Sequence, residues 1–245
     1  MKLDAIMKLS YSEYIVYLKI KYGMPSEPYF CGNNTLKYNS KNSRTNEGLM
    51  IHHVYENRYV YLSNPNVCEQ LTKDCPETQS PENLVYCNFI EHLILHIKIT
   101  EELNGDSACG WGGIISIMQH INSLYNYYYI DANINFNNAD VAKFRINCFN
   151  EIVDKLNEYL YLVDYIMDNV LEKIINCSDG IISTADLWSV YEDNKSFSLV
   201  SARVKVHSKY TRLNKLSYTL RNVSNYKSLS DLYRNKYNIT RYSRE

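Results

Sequence analysis

The spacing of apolar residues along the chain predicts mostly helical structure. Apolar side chains three and four residues apart share one face of a helix. This spacing predicts four long helices, over residues 11–22, 89–103, 114–129 and 140–176. Ser12 is the expected N-cap of the first helix, and Gly23 is its expected end. Ser183 or Thr184 is expected to cap a shorter helix that runs to Tyr191.

Short apolar runs between the helices predict strands. Residues 49–55 and 84–87 form such runs, and residues 58–62 form a weaker one. The polar stretches 31–48 and 64–81 are expected to be loops because they are rich in Asn, Ser and Pro. The expected fold class is therefore α+β, predominantly helical. The Gly-rich residues 109–113 lack the Lys and Ser/Thr of a phosphate loop and are expected to form a tight turn that packs Trp111.

Composition is that of a soluble globular protein. The chain has 245 residues, of which 45% are hydrophobic and 22% are charged. No stretch approaches the ~18 apolar residues of a membrane span, and the N-terminus lacks an apolar signal core. We therefore expect a cytoplasmic protein with no membrane partner. The seven cysteines are an odd number without a C-x-x-C pair, which favours free thiols. The spacing of Cys68, Cys75 and Cys87 does not match the common zinc ribbons.

Charge is unevenly distributed although the net charge is only −1. Residues 97–199 carry 6 basic and 15 acidic side chains, whereas residues 200–245 carry 11 basic and 2 acidic ones. Tyrosines are interleaved with these basic residues, and both residue types can contact nucleic acid. The expected DNA-contacting residues are Arg203, Lys205, Lys209, Arg212, Lys215 and Arg221. The alternative is a solvated extension without a nucleic-acid partner.

Histidines are the most informative residues for chemistry. Four of the six histidines lie within 45 residues of sequence, at positions 52, 53, 92 and 96. His92 and His96 are four residues apart on a predicted helix, so both imidazoles lie on one face and can bind one metal ion. His52 and His53 lie on a predicted strand, where neighbours point to opposite faces. Two buried core histidines are the alternative for the helical pair. A metalloprotease helix would need Glu at position 93, which is Leu.

The four histidines lie in two segments, E-G-L-M-I-H-H-V at 47–54 and E-N-L-V-Y-C-N-F-I-E-H-L-I-L-H-I at 82–97. Together these segments resemble the HNH (ββα-metal, His-Me finger) endonuclease family, of the type found in Gram-positive bacteria and their phages. Asn83 precedes His92 by nine residues, and His92 precedes His96 by four, as in the colicin-type DNases of this superfamily. The loop between His53 and Asn83 is about twice the usual length for the family, and the flanking zinc-ribbon cysteines are absent.

The resemblance implies a set of site residues. His52, His92 and His96 would be the metal ligands, and His53 would be the general base that activates water. Asn83 would tether the loop and help to hold His53. The implied cofactor is one divalent metal ion, which could be Zn, Mg, Mn or Ni. Glu56 is either a hydrogen-bond partner of the ligands or a solvated loop acid, and Glu91 is expected at the surface.

The expected function is a metal-dependent endonuclease that hydrolyses phosphodiester bonds in DNA. The expected organisation is an N-terminal helix and loop (1–46), a catalytic ββα-metal core (47–103), a helical region (104–182) and a basic DNA-contacting region (183–245). One alternative is a non-catalytic DNA-binding or regulatory protein that retains a structural metal. A weaker one is a metal hydrolase acting on another substrate. Cutting both strands with one site per chain would call for a homodimer, and the sequence leaves the oligomeric state open.

Overall fold

Helices dominate the part of the chain that the structure describes. The computed structural model describes residues 1–32, 36–103, 109–129 and 139–170. Within these ranges the fold is α+β, as expected, and mostly helical with two small antiparallel sheets. The α-helices are α1 (Leu3–Met7), α2 (Tyr11–Tyr22), α3 (Pro65–Asp74), α4 (Phe89–Glu102), α5 (Trp111–Tyr129), α6 (Ala139–Asn150) and α7 (Leu156–Tyr165).

Two strand pairs complete the fold. Strands β1 (Phe30–Cys31) and β2 (Lys37–Tyr38) form one antiparallel pair, and β3 (Met50–His53) and β4 (Leu84–Cys87) form the other. In the second pair, His52 lies opposite Val85 and His53 lies opposite Leu84. All four residues of β4 are buried, and α4 begins two residues after it. The β3–β4 pair and α4 therefore form a strand–strand–helix unit, with α3 and its flanking turns inserted between the two strands.

Helix α4 begins at a reciprocal cap. The Asn88 side chain accepts a hydrogen bond from the backbone N–H of Glu91, and the Glu91 carboxylate accepts one from the backbone N–H of Asn88. Glu91 also accepts from Lys21 Nζ at 2.5 Å and from the Tyr22 hydroxyl at 2.9 Å. The expected surface position of Glu91 is wrong. Only 7% of the residue is exposed, because α2 packs over the start of α4.

Helix α2 covers the predicted range, but its cap differs from the prediction. Ser10, rather than Ser12, accepts the hydrogen bond from the backbone N–H of Glu13, and the Glu13 side chain bonds back to Ser10. The helix ends at Gly23, as expected, and this glycine has a φ of +76°. Buried apolar residues from α2, β4, α4, α5, α6 and α7 form one hydrophobic cluster. Its fully buried members include Leu18, Leu93 and Leu160.

Other sequence expectations were wrong or imprecise. No strand forms over the described residues 58–62, where Tyr61 takes a φ of +60°. The loop expected over 64–81 contains α3, which Asn64 caps and Pro65 begins. The loop expected over 31–48 contains β2 and part of β1. The long helix expected from residue 140 is divided, because α6 ends at Asn150 and a 3-10 turn precedes α7.

Helix α5 starts three residues earlier than predicted. Gly110 has a φ of +85° and accepts a hydrogen bond from the backbone N–H of Ile114, so the helix begins directly after it. The tight turn expected over 109–113 is therefore limited to residues 109 and 110, but Trp111 is buried, as expected. None of the helices in the described ranges is long and apolar enough to cross a membrane. The predictions for the 183–191 helix and for the basic C-terminal region lie outside the described residues.

Candidate metal centre

Three histidines and one glutamate converge on one point beside the β3–β4 pair. His52 lies on β3, His92 and His96 lie on α4, and Glu56 lies in the 3-10 turn Val54–Asn57 that follows β3. One ligand atom from each residue lies within 4.8 Å of all the others. The structure therefore brings together the three predicted metal ligands. It adds Glu56, which sequence reasoning treated only as a supporting residue or a solvated acid.

The spacing of these donor atoms suits a tetrahedral ion. His92 Nε2 lies 3.1 Å from His52 Nδ1 and 3.2 Å from His96 Nε2. Glu56 Oε2 lies 3.0 Å from His96 Nε2 and 3.3 Å from His52 Nδ1. In a tetrahedral site with bonds of about 2.0–2.1 Å, neighbouring donor atoms are about 3.3 Å apart. Imidazole and carboxylate donors at this spacing fit zinc or a similar first-row ion.

Tyr11 of α2 orients the ring of His52. The Tyr11 hydroxyl lies 2.8 Å from His52 Nε2 and 2.8 Å from the carbonyl oxygen of Val54. The carbonyl can only accept, so it takes the single hydroxyl proton, and the hydroxyl oxygen accepts from Nε2–H of His52. The other ring nitrogen of His52, Nδ1, then presents its lone pair to the cluster. Such an outer partner fixes the tautomer of a metal-binding histidine.

The two helical histidines are held by different neighbours. His92 Nδ1 lies 3.1 Å from the sulfur of Met50 on β3, which leaves Nε2 to face the cluster. The ring of His96 packs directly against Gly113 of α5. A Cβ atom at Gly113 would lie 2.2 Å from Cε1 and Nδ1 of His96. Only glycine at this position leaves room for the ring.

Burial and charge set the protonation of the cluster. Burial lowers the pKa of His52, and burial together with His96 and His52 lowers the pKa of His92 well below its ordinary value. Neutral imidazoles are the form that binds a metal. Burial acts to raise the pKa of Glu56, but the surrounding histidines outweigh it and hold that pKa well below its ordinary value. The carboxylate is therefore ionised at neutral pH.

His53 points away from the cluster, as its place on a strand predicts. It is fully buried, with its ring edge against Tyr29 at a centroid distance of 4.4 Å. His53 Nε2 lies 3.1 Å from Gln79 Oε1, and Gln79 Nε2 donates to the carbonyl of Leu62. This second bond orients the amide, so His53 donates through Nε2–H. Its Nδ1 faces Glu56 Oε1 at 3.4 Å and has no hydrogen-bond partner.

Asn83 does not contact His53 directly. Its side chain donates to the carbonyl of Glu77 at 2.9 Å and to the hydroxyl of Ser80 at 3.2 Å. These bonds hold the turn Pro76–Gln79, which carries the Gln79 side chain to His53. Asn83 thus ties together the end of the long loop, and its connection to His53 runs through Gln79. Sequence reasoning did not single out Gln79, since no local pattern marks it.

A cavity of about 460 Å³ opens beside the cluster. Glu56, His92 and His96 line one side of it, and the start of α5 with Trp111 lines another. The segment 59–63 forms a further wall. An ion held by the cluster would therefore be reachable from this cavity. The predicted DNA-contacting residues of the basic C-terminal region lie outside the described residues.

Comparisons with known proteins identify no relative of this chain, so the site is interpreted from its own residues. The chain was compared with protein-family models, with curated proteins and with solved structures, and no match was found.

Proposed function

We propose that this protein is a metal-dependent endonuclease that hydrolyses phosphodiester bonds in DNA, with an HNH (ββα-metal) core. The observation that carries the proposal is the His52–Glu56–His92–His96 cluster, built by an antiparallel strand pair and the helix that follows it. The cluster lies on the wall of a cavity large enough for part of a substrate. A metal with a purely structural role needs no such access.

In this proposal, separate residues bind the metal ion and accept the proton. His52, His92 and His96 would hold the divalent ion, and Glu56 would be a fourth donor that a water or phosphate oxygen can join or replace. When bound, such an ion polarises a phosphate oxygen and stabilises the charge that develops on it. The proposal keeps His53 as the general base, with Nδ1 as the accepting atom because Nε2 donates to Gln79. His53 is fully buried and is not among the described residues that line the cavity, whereas Glu56 is. In this proposal a water in the cavity gives its proton to the Glu56 carboxylate and becomes the hydroxide nucleophile, and the proton passes from Glu56 Oε1 to His53 Nδ1, 3.4 Å away.

The basic C-terminal region supplies the affinity for DNA in this proposal. Its lysines and arginines would neutralise backbone phosphates, which strengthens binding without reading sequence. The proposed catalytic residues lie in the described part of the chain, and most of the residues proposed to bind DNA lie from residue 200 onward.

The test is cleavage of supercoiled plasmid with Mg²⁺, Mn²⁺, Ni²⁺ or Zn²⁺ added separately to metal-stripped protein. We expect metal-dependent nicking that His92→Ala and His53→Ala abolish. His120→Ala is the matched control because His120 is an exposed histidine on α5 outside the cluster. Folding of each variant is checked by circular dichroism. A folded wild-type protein that cuts with none of the four ions, or equal cutting by His92→Ala, would contradict the proposal.

One observation favours a second candidate, a non-catalytic DNA-binding protein with a structural metal. The cluster already offers four protein donors, which is the number that closes a tetrahedral structural site. This candidate predicts DNA binding on a gel, no cleavage with any ion, and a large loss of stability when the metal is removed. The proposed endonuclease instead requires a coordination position that substrate or water can take.

A further inference from the structure

The cavity beside the metal centre has walls of unusual chemistry for a surface that meets DNA. Its lining includes three aromatic side chains, Tyr59, Tyr61 and Trp111. Among the described residues that line it there is no lysine or arginine. A groove that follows a double-stranded backbone is lined by cations that neutralise phosphates. This cavity is instead suited to a flat, uncharged ring.

The size of the cavity agrees with a single small ligand. Its volume of about 460 Å³ lies in the range of sites that enclose a small molecule. One base with its sugar fits such a space, whereas a base pair within a stacked duplex does not. Aromatic side chains bind single bases by stacking, and they do so with every base because each has a π-face.

Tyr61 stands on this cavity in a disfavoured backbone conformation. Its φ is +60°, and among the described residues it is the one non-glycine with a positive φ. Tyr61 is 67% exposed although it is a large aromatic residue. A left-handed backbone at a tyrosine is disfavoured, and such conformations cluster at active sites and ligand-binding sites. Here it places an exposed ring at the cavity wall.

A phosphate attached to such a base and sugar would lie between the candidate metal ligands and the start of α5. Glu56, His92 and His96 line one side of the cavity, where the proposed ion would be held. Gly112 and Gly113 line it at the first turn of α5, whose N–H groups have no carbonyl partner within the helix. Gly112 is exposed and nothing lies within 4 Å of its Cβ position, so no side chain covers this turn, and helix N-termini favour anions.

We propose that this cavity binds one unstacked nucleotide of the substrate strand, next to the phosphodiester that is cleaved. The inference rests on the proposed endonuclease function and specifies its substrate class as single-stranded or locally opened DNA. A base inside an intact duplex must first leave its stack before it can enter such a cavity, whereas a single-stranded or bulged base is already available.

The first experiment measures binding without catalysis. The probe is deoxyadenosine 5′-monophosphate, added to the metal-free full-length protein, and the readout is Trp111 fluorescence in a Trp188→Phe background. Deoxyribose 5-phosphate is the matched control because it lacks the base. We expect quenching by the nucleotide alone, and about a tenfold weaker affinity in Tyr61→Ala. Tyr38→Ala, which removes an exposed tyrosine outside the cavity, leaves the affinity unchanged. No quenching, or equal affinity in Tyr61→Ala, overturns the inference.

The second experiment separates this inference from the function on which it rests. One oligonucleotide sequence is offered to the metal-loaded protein as a single strand, as a duplex with a one-nucleotide bulge, and as a fully paired duplex. We expect faster cleavage of the first two, and a smaller difference in Tyr61→Ala. Equal or faster cleavage of the paired duplex overturns the inference and leaves the endonuclease proposal standing. Nucleotide binding with no cleavage of any DNA supports the cavity assignment and overturns the endonuclease proposal.

Discussion

The hydroxyl of Tyr11 lies 2.8 Å from Nε2 of His52 and joins helix α2 to the candidate metal centre. Tyr11→Phe removes this partner and leaves His52 Nε2–H and the Val54 carbonyl without their bond. We expect metal affinity to fall roughly 10–100-fold, as it does when the outer partner of a ligating histidine is lost. Competition with a chromophoric chelator measures the affinity.

The matched control for this substitution is Tyr14→Phe, on the same helix. The Tyr14 hydroxyl is buried without a hydrogen-bond partner, so its removal should leave metal affinity unchanged and stability equal or higher. Equal effects of the two substitutions on metal affinity would show that Tyr11 acts through packing rather than through its bond to His52.

Glu56→Gln tests whether the carboxylate is a ligand. Gln keeps the shape of the side chain but loses its charge, so a bound ion loses one anionic donor. We expect metal affinity to fall roughly 10-fold or more, while Glu69→Gln, at an exposed carboxylate of α3, has no effect. Isothermal titration of the metal-stripped protein measures both. Unchanged affinity in Glu56→Gln would mean that the three histidines hold the ion alone.

The neighbouring glycines of α5 give a paired test of packing. In Gly113→Ala the new methyl group would overlap the ring of His96, so the ring must move. We expect a loss of about 1–3 kcal/mol in the free energy of unfolding, with weaker metal binding. Gly112→Ala meets nothing within 4 Å and should raise the free energy of unfolding by about 0.5 kcal/mol. Urea unfolding followed by circular dichroism measures both. A Gly113→Ala protein as stable as the wild type would contradict the close packing.

Buried cysteines should react more slowly with thiol reagents than exposed cysteines. Burial raises the pKa of Cys148 to about 12 and raises the pKa of Cys87 well above its ordinary value. Because the thiolate is the reactive form, both groups should resist alkylation at pH 8, whereas the exposed Cys31 reacts. Peptide mapping after brief iodoacetamide treatment shows the order, with a denatured sample as the control. Modification of Cys87 as fast as Cys31 would contradict the burial of β4.

The elements whose signals are local were predictable from the sequence. Helix α4 and strand β4 lie where the apolar pattern places them, and α2 covers its predicted range. The spacing of His92 and His96 is enough to put both rings on one face of α4. Helix α3 was missed although Asn64 and Pro65 form a recognisable start, because the polar composition of its surroundings indicated a loop. The strand predicted over residues 58–62 fails because that segment turns to form a wall of the cavity.

The candidate metal centre shows most clearly which contacts the sequence predicts and which depend on tertiary packing. The sequence by itself put His92 and His96 on one helix face and His52 and His53 on opposite faces of a strand, since helical spacing and strand alternation are properties of short segments. The choice of His52 rather than His53 for the cluster came from the family resemblance. The structure decided that Glu56 joins the cluster: a 3-10 turn over Val54–Asn57, where a strand was expected to continue to residue 55, returns its carboxylate to His52, and the packing of β3 on α4 brings it within 3.0 Å of His96 Nε2. It also decided the partners Tyr11 and Gln79, which lie 41 and 26 residues from the histidines they contact. Contacts across such distances depend on how whole helices and loops pack, and no periodicity in the sequence encodes them.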